Sequence, residues 1–280
     1  MSSNPPSDPA CVLRPLDRVF GGYALDLDGT VYLGDELLAG AQATVAAIRR
    51  NGAKTVFLTN KPLESAAAYA AKLTRLGIPA DEADVLSPLG VLCDYLSEHH
   101  AGDGVLTVAE PLVDETLRSC GIEVTTDPRA AGVVVVSFDR TFDYDKLLRA
   151  FRAVRHHGAA IVATNPDPFC PTPDGGLPDC AAMLAAIEAC TGSRAEAIVG
   201  KPSRHMAEAL LSRLGVSRAD AVVVGDRLGT DVAMAQTIGL TSVLVLSGVT
   251  GPDELRAAGI RPDYVVNGIG ELLSVLEGAR

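Results

Sequence analysis

Short apolar runs alternate along this chain with longer segments of helical periodicity, which restricts it to folds whose parallel strands are joined by crossover helices. Residues 22–27 (GYALDL) read as a buried strand. The segment AGAQATVAAIRRNG that follows carries Val45 and Ile48 at helical spacing and stops at Gly52. Residues 54–58 form the next expected strand and 62–76 the next helix, closed by Gly77. The rhythm resumes late, with strands at 197–199, 221–224, 242–246 and 264–266 and helices at 203–214, 230–238 and 269–276. Both stretches are the same kind of unit and are expected to share one sheet.

Between them lies a segment with its own alternation. Residues 105–108, 133–137 and 160–163 read as strands, and 88–98, 111–120 and 144–157 as helices. Three strand–helix units can bury a separate core. The expected organisation is a flexible N-terminus over 1–17, the first part of a core domain over 18–83, an inserted domain over 84–180 and the rest of the core over 181–280. The Pro- and Gly-rich run PDPFCPTPDGGLP (166–178) reads as the re-entry loop.

Composition narrows the function classes. Hydrophobic residues make up 48% of the 280 and charged residues 21%, as in a folded globular chain. Twenty-four basic against thirty-five acidic residues leave a net charge of −11 at pH 7, unsuited to neutralising nucleic-acid phosphates or an anionic membrane. No run approaches the ~20 apolar residues of a bilayer span, and the N-terminal segment lacks the features of a secretory signal. Six cysteines without a CxxC pair read as reduced, mostly buried thiols of a cytoplasmic protein, excluding a disulfide scaffold and a thiolate zinc site.

Four motifs carry chemistry, each just beyond an expected strand end. Asp26-Leu27-Asp28-Gly29-Thr30 would put two carboxylates in the crevice outside the sheet, where parallel folds keep their sites. Two anions so close repel, and a hard divalent cation such as Mg2+ would relieve them. The plain alternative is an Asx-rich turn. Leu58-Thr59-Asn60-Lys61-Pro62 offers a hydroxyl and a helix start for a phosphate, the alternative being an ordinary N-cap. Gly200-Lys201-Pro202 offers an ammonium, though a solvated lysine is its usual fate. The run Val222-Val223-Val224-Gly225 delivers Asp226 to the same edge, with Asp231 at the start of the next helix, where the helix dipole alone would favour an acid. Carboxylates, Mg2+, a lysine and N–H donors together make a phosphoryl-transfer site. A P-loop and a GxGxxG dinucleotide fingerprint are both lacking.

In these residues the chain resembles the haloacid dehalogenase-like hydrolase superfamily. The likeness is closest to the branch typified by NagD, 4-nitrophenylphosphatases and phosphoglycolate phosphatases. DLDGTVY, LTNKP, VGKP, GDRLGTD and VLSGV stand in family order, and ATNPD at 163–167 resembles a cap segment. The chain departs from many relatives in carrying Lys61. The resemblance implies an α/β fold, a Rossmann-like parallel-sheet core with an inserted smaller α/β cap, and a phosphoric monoester hydrolase. It implies that Asp26 is the nucleophile that forms an aspartyl-phosphate, and that Asp28 protonates the leaving alcohol and then activates water. Mg2+ would be held by Asp26, the Asp28 carbonyl and Asp226, with Asp231 orienting its waters. Thr59, Lys201 and the Asn60 N–H would bind phosphate oxygens, and Thr30 would brace the nucleophile loop.

Specificity would fall to the cap. The candidates are Asn165, Asp167 and Asp179, with Phe138, Asp139 and Arg140 in addition; turn geometry is the competing explanation for each. The expected substrate is a small phosphorylated metabolite: a sugar or polyol phosphate, phosphoglycolate or a nucleoside monophosphate. The resemblance leaves room for a homodimer. A phosphotransferase or mutase on the same site and a non-catalytic phosphometabolite-binding regulator are the alternatives. The five histidines are expected at helix ends or in solvent.

Overall fold

The computed structural model describes residues 13–170 and 176–278. Cys11, the expected lead-in up to residue 12 and the middle of the 166–178 loop lie outside the described residues. The chain divides into two compact units. One comprises Met1–Thr59, Ala67–Val85 and Ala207–Arg280; the other comprises Asn60–Ala66 and Leu86–Met206.

The chain begins with strand β1 (Gly22–Asp26), the hairpin strands β2 (Tyr32–Leu33) and β3 (Glu36–Leu37), helix α1 (Ala41–Arg50), β4 (Lys54–Leu58), α2 (Ala66–Arg75) and β5 (Val85–Leu86). Next come α3 (Pro88–His99), β6 (Gly104–Val108), α4 (Pro111–Ser119), β7 (Ala131–Val136), α5 (Tyr144–His157), β8 (Ala160–Ala163), β9 (Phe169–Cys170), β10 (Leu177–Pro178), α6 (Cys180–Thr191) and β11 (Ala197–Ile198). The last part runs through α7 (Arg204–Leu214), β12 (Ala221–Gly225), α8 (Ala233–Thr237), β13 (Thr241–Val245), α9 (Pro252–Ala257), β14 (Tyr264–Val266) and α10 (Leu273–Gly278).

Among the described residues, the first unit is built on a six-stranded sheet in the order β14-β13-β12-β1-β4-β5. β1 lies parallel to both neighbours, with Leu25 opposite Val224 on one side and Phe57 on the other. All five of its residues are buried, as the continuous apolar runs of a doubly covered parallel sheet require. From β1 the chain steps to β4 in one direction and later returns as β12 on the other side. That reversal makes the carboxyl ends of β1 and β12 a topological switch point, where open α/β sheets leave a crevice. The described end of the lead-in is not free, because Arg14 exchanges main-chain hydrogen bonds of 2.8 and 2.9 Å with Val265 on the sheet's edge strand.

The second unit has a four-stranded parallel sheet, β11-β8-β7-β6. Its core packs Val134, Val136 and Ile161 against Ala150 and Ala153 of α5 and Met183 and Ile187 of α6. This corrects the expected return at residue 180. Residues 197–198 pair with β8, not with the first sheet. The physical reason is α6: its apolar side is buried in the second core, so it serves as a crossover helix there, and the strand after it returns to the same sheet.

Smaller corrections concern boundaries. The helix expected from residue 62 begins at Ala66, directly after Ser65, a residue type preferred at helix starts. The helix expected from 230 opens instead as a π turn over Leu228–Val232, followed by α8. The 166–178 loop contains the short antiparallel pair β9–β10. Among the described cysteines Cys93, Cys170 and Cys180 are buried and Cys120 and Cys190 exposed, all free thiols. Burial pushes the Cys180 thiol up to about 11.

Candidate active site

Strand register brings the acidic motifs of the first unit together. Asp26 ends β1, and Asp226 follows the last residue of the neighbouring β12. The π turn adds Asp231, so one carboxylate oxygen from each of Asp26, Asp226 and Asp231 lies within 4.8 Å of the others. Their residues are only 7%, 1% and 1% exposed. The main chain holds two of them in place: Val249 N–H donates to Asp226 Oδ2 at 2.7 Å, and Arg227 N–H to Asp231 Oδ2 at 3.1 Å.

Asp28 is half-buried in the turn that follows β1. That turn winds around the Leu27 carbonyl, which accepts from the N–H groups of Thr30 (3.3 Å), Val31 (2.9 Å) and Tyr32 (3.1 Å). Gly29 makes the turn possible with φ of +86°, and a side chain there would put Cβ 2.6 Å from Asp226 Oδ2. The brace expected from Thr30 takes another form. Its hydroxyl is buried without a hydrogen-bond partner, so the loop is held through the Thr30 main chain. Thr59, 3% exposed, follows the β4 residue that pairs with Asp26. Because α2 starts only at Ala66, the helix N-terminus expected right after Thr59 is not there.

Asn60 and Lys201 lie in the second unit, within one buried polar network. Lys201 N–H donates to Asn60 Oδ1 at 2.8 Å, and Asn60 Nδ2 donates to Lys201 O at 3.0 Å and to Asp167 Oδ2 at 3.0 Å. Asn165 Nδ2 donates to Asn60 O at 3.2 Å, and Asn165 Oδ1 accepts from Asp167 N–H at 2.9 Å. Asp179 caps α6, accepting from Cys180 N–H at 2.6 Å. The three residues expected to read substrate thus have visible scaffolding tasks.

The other cap candidates are tied into ion pairs or core. Phe138 is buried. Asp139 Oδ2 lies 2.5 Å from Lys146 Nζ, and its Oδ1 accepts from Thr141 N–H at 2.9 Å. Arg140 grips Glu110, whose carboxyl the guanidinium holds below the usual carboxylate range. Sequence reasoning also missed His100. It does stand at a helix end, as the C-cap of α3, but its Nε2 lies 2.6 Å from Glu196 Oε1 and its Nδ1 3.0 Å from Asp103 Oδ2, so it is paired and not solvated.

Comparison with known proteins identifies the family of the chain. A family model described as haloacid dehalogenase-like hydrolase matches residues 23–123, and another described as HAD-hydrolase-like matches 198–272. The sugar-phosphatase AraL of Bacillus subtilis is 38% identical over 257 residues, covering 91% of this chain and 93% of its own. The chain belongs to the haloacid dehalogenase-like hydrolase superfamily. A crystal structure of a 4-nitrophenylphosphatase from Thermotoga maritima superposes on this hydrolase with a TM-score of 0.86 at 31% identity, covering 92% of this chain and 97% of that one. A glycerol phosphate phosphatase of Mycobacterium tuberculosis, crystallised with magnesium, gives 0.82 at 32% identity, with coverage of 90% and 76%. The hydrolase falls in the branch of NagD and the 4-nitrophenylphosphatases and is a phosphoric monoester hydrolase.

The donor set of the hydrolase fits a hard divalent cation. Three buried carboxylates within 4.8 Å of one another are mutually repulsive, and burial deprives them of the water that would screen them. All the donor atoms are oxygens, the preference of Mg2+ and Ca2+ and not of thiophilic metals. Among the described residues no helix is long and apolar enough to cross a membrane.

Proposed function

We propose that the hydrolase is a Mg2+-dependent phosphatase of sugar and polyol phosphates that works through an aspartyl-phosphate. The observation that carries this reading is the buried cluster of Asp26, Asp226 and Asp231 at the switch point of the first sheet. The name of the Bacillus subtilis relative, a sugar-phosphatase, and that of the glycerol phosphate phosphatase support the substrate class.

In the first step an Asp26 carboxylate oxygen attacks phosphorus, and the bond from phosphorus to the ester oxygen breaks. Asp28 gives its proton to the departing alkoxide, so the alcohol leaves neutral. In the second step Asp28, now a carboxylate, takes a proton from water as that water attacks the phosphorus. Inorganic phosphate departs and the Asp26 carboxylate is restored. Mg2+, held by Asp26, Asp226 and the Asp28 carbonyl with Asp231 alongside, would supply the positive charge that lets an anionic nucleophile approach an anionic ester. Thr59 and the Lys201 ammonium are the groups that motif order assigns to the phosphate oxygens.

The test is phosphate release from a panel of sugar phosphates, glycerol phosphate, 2-phosphoglycolate and nucleoside monophosphates. Sugar or polyol phosphates should turn over fastest, chelation with EDTA should stop the reaction, and Asp26→Asn should lower kcat by roughly 10^4-fold or more. Undiminished turnover by Asp26→Asn would refute the mechanism.

A further inference from the structure

The VLSGV string (245–249) overlaps a segment, residues 246–250, of which only Val249 has been given a task above, yet it touches both acidic motifs of the first unit. Leu246 N–H donates to Val266 O at 2.9 Å, which fixes the start of the segment to β14. Ser247 Oγ donates to Gly29 O at 2.7 Å. Two residues on, Val249 N–H donates to Asp226 Oδ2 at 2.7 Å, and Thr250 N–H to Asp226 O at 3.1 Å. Between these anchors Gly248 lies so close that a Cβ there would overlap the Asp226 carboxylate. A Cβ on Gly29 would come within 3.1 Å of the Gly248 Cα. The segment is therefore a strap packed against the Asp28–Gly29 turn and Asp226 together.

The Gly29 peptides are pinned from two directions. Gly29 N–H donates to Tyr32 O at 2.8 Å, within the turn itself, whereas the Gly29 carbonyl is held from outside by the Ser247 hydroxyl. The first bond survives if the whole turn shifts as a body; the second does not.

We propose that Ser247 is a positioning residue, tying the turn that carries Asp28 to the strap that holds Asp226. The proposal rests on the roles given above to Asp26, Asp28 and Asp226. Because the main chain of the strap and the Asp226 carboxylate move together, the Ser247 hydroxyl sets where Asp28 sits relative to Asp226. Groups that act by orientation lose about 10^2-fold when displaced by 1 Å, and partners that orient metal ligands are worth about 10–100-fold in metal affinity or activity. Ser247 also lines a cavity of about 500 Å³ bounded by Gly40, Asn267 and Ile269. Ser247→Thr keeps a hydroxyl on Cβ, and Ser247→Ala removes it.

The experiment compares wild type, Ser247→Ala and Ser247→Thr in full-length protein. Three measurements are made: Mg2+ binding to metal-stripped protein by calorimetric titration, the Tm of the stripped protein, and kcat and KM with a sugar phosphate. Ser247→Ala should bind Mg2+ roughly tenfold more weakly and lose roughly 10–100-fold in kcat, with KM nearly unchanged and the stripped Tm within a few degrees. Ser247→Thr should restore both the Mg2+ affinity and kcat. Wild-type Mg2+ affinity and kcat in Ser247→Ala would overturn the proposal. So would a Ser247→Ala whose stripped Tm falls by far more than a few degrees along with kcat, neither being restored by Thr, since that is plain destabilisation. Failure of the phosphatase reading is a separate result: wild type itself would release no phosphate from the panel.

Discussion

Asn60 and Lys201 are joined by a two-point bridge between a side chain and a main chain. The Asn60 carboxamide accepts from Lys201 N–H at 2.8 Å and donates to Lys201 O at 3.0 Å, as a neighbouring strand would. The bridge comes just after β11, the edge strand of the second sheet, so it prolongs strand-like pairing past the strand's end. With the backbone of the lysine fixed at both polar groups, the direction in which its side chain leaves the main chain is set by Asn60.

Asn60→Ala should therefore be costly for its size. It removes the two hydrogen bonds that Asn60 makes to the main chain of a residue that is 2% exposed, and the donor to Asp167 Oδ2 as well. Each intramolecular hydrogen bond lost costs about 0.5–1.5 kcal/mol, and one to a charged group about 1.5–3. Urea unfolding should show a loss of about 2–4 kcal/mol in the transition of the second unit. Asn60→Asp should do no better, because it keeps the acceptor for Lys201 N–H, loses the donor, and faces a second carboxylate on Asp167.

Gly200→Ala tests the same junction from the other side. A Cβ at position 200 would overlap the Thr164 carbonyl oxygen and lie 2.8 Å from Asn60 Oδ1. Neither neighbour can swing away, one being main chain and the other held by the bridge. Overpacking of this kind costs about 1–3 kcal/mol. The variant should lose stability in that range by chemical denaturation and lose activity together with Asn60→Ala. Wild-type stability in Gly200→Ala would show that the bridge yields easily.

These long-range relationships mark where reading the sequence stops. Asp26 and Asp226 were legible because each ends an apolar run, and parallel strands put such ends on one edge. Asp231 was expected at the start of the next helix, with its role given by the family resemblance, and the π turn that brings it in has no periodic signature. Residues 197–198 are too short a run to declare a sheet, and only the packing of α6 decides between the two. TNKP and GKP were visible separately, but the bridge between Asn60 and Lys201 spans 141 positions. The Ser247–Gly29 bond spans 218. Periodicity reports which face of an element is buried; it carries no information about which distant polar group a side chain will meet.

Metal removal has a predictable sign. In stripped protein the three crowded carboxylates of Asp26, Asp226 and Asp231 oppose one another, so the cation stabilises the folded state as any selective ligand does, by about 2.7 kcal/mol at a hundred times its Kd. Wild type should melt at a higher temperature in Mg2+ than in EDTA. Asp226→Asn keeps an oxygen for Val249 N–H and removes one anion. In EDTA that variant should be at least as stable as wild type, and added Mg2+ should raise its Tm little or not at all, as read by scanning calorimetry. An undiminished Mg2+ response would move the cation away from Asp226.

The second unit should also stiffen as pH falls, through His100. Burial alone would lower the pKa of this imidazole, but Glu196 on Nε2 and Asp103 on Nδ1 outweigh it, and the net shift is upward. With a carboxylate on each nitrogen, the doubly protonated ring satisfies both partners. Tyr95 reinforces the clasp by donating its hydroxyl to Glu196 Oε1 at 3.1 Å, and burial followed by that carboxylate pushes the phenol up to about 12, so it remains a neutral donor throughout. The rings of His99 and His205 flank Tyr95, with centroids 4.4 and 4.9 Å away. A group whose folded pKa exceeds its unfolded value of about 6.5 contributes its full stability below that value and loses it as pH rises through the folded pKa. Because Glu196 leads into β11, with its N–H on Ile161 O at 2.9 Å, the clasp ties α3 to the edge of the second sheet. His100→Gln should cost about 1–2 kcal/mol at pH 5.5 and progressively less toward pH 9, measured by urea unfolding at each pH. A difference that stays constant across that range would mean that folded and unfolded chains bind the imidazole proton equally tightly, so the two carboxylates do not hold it.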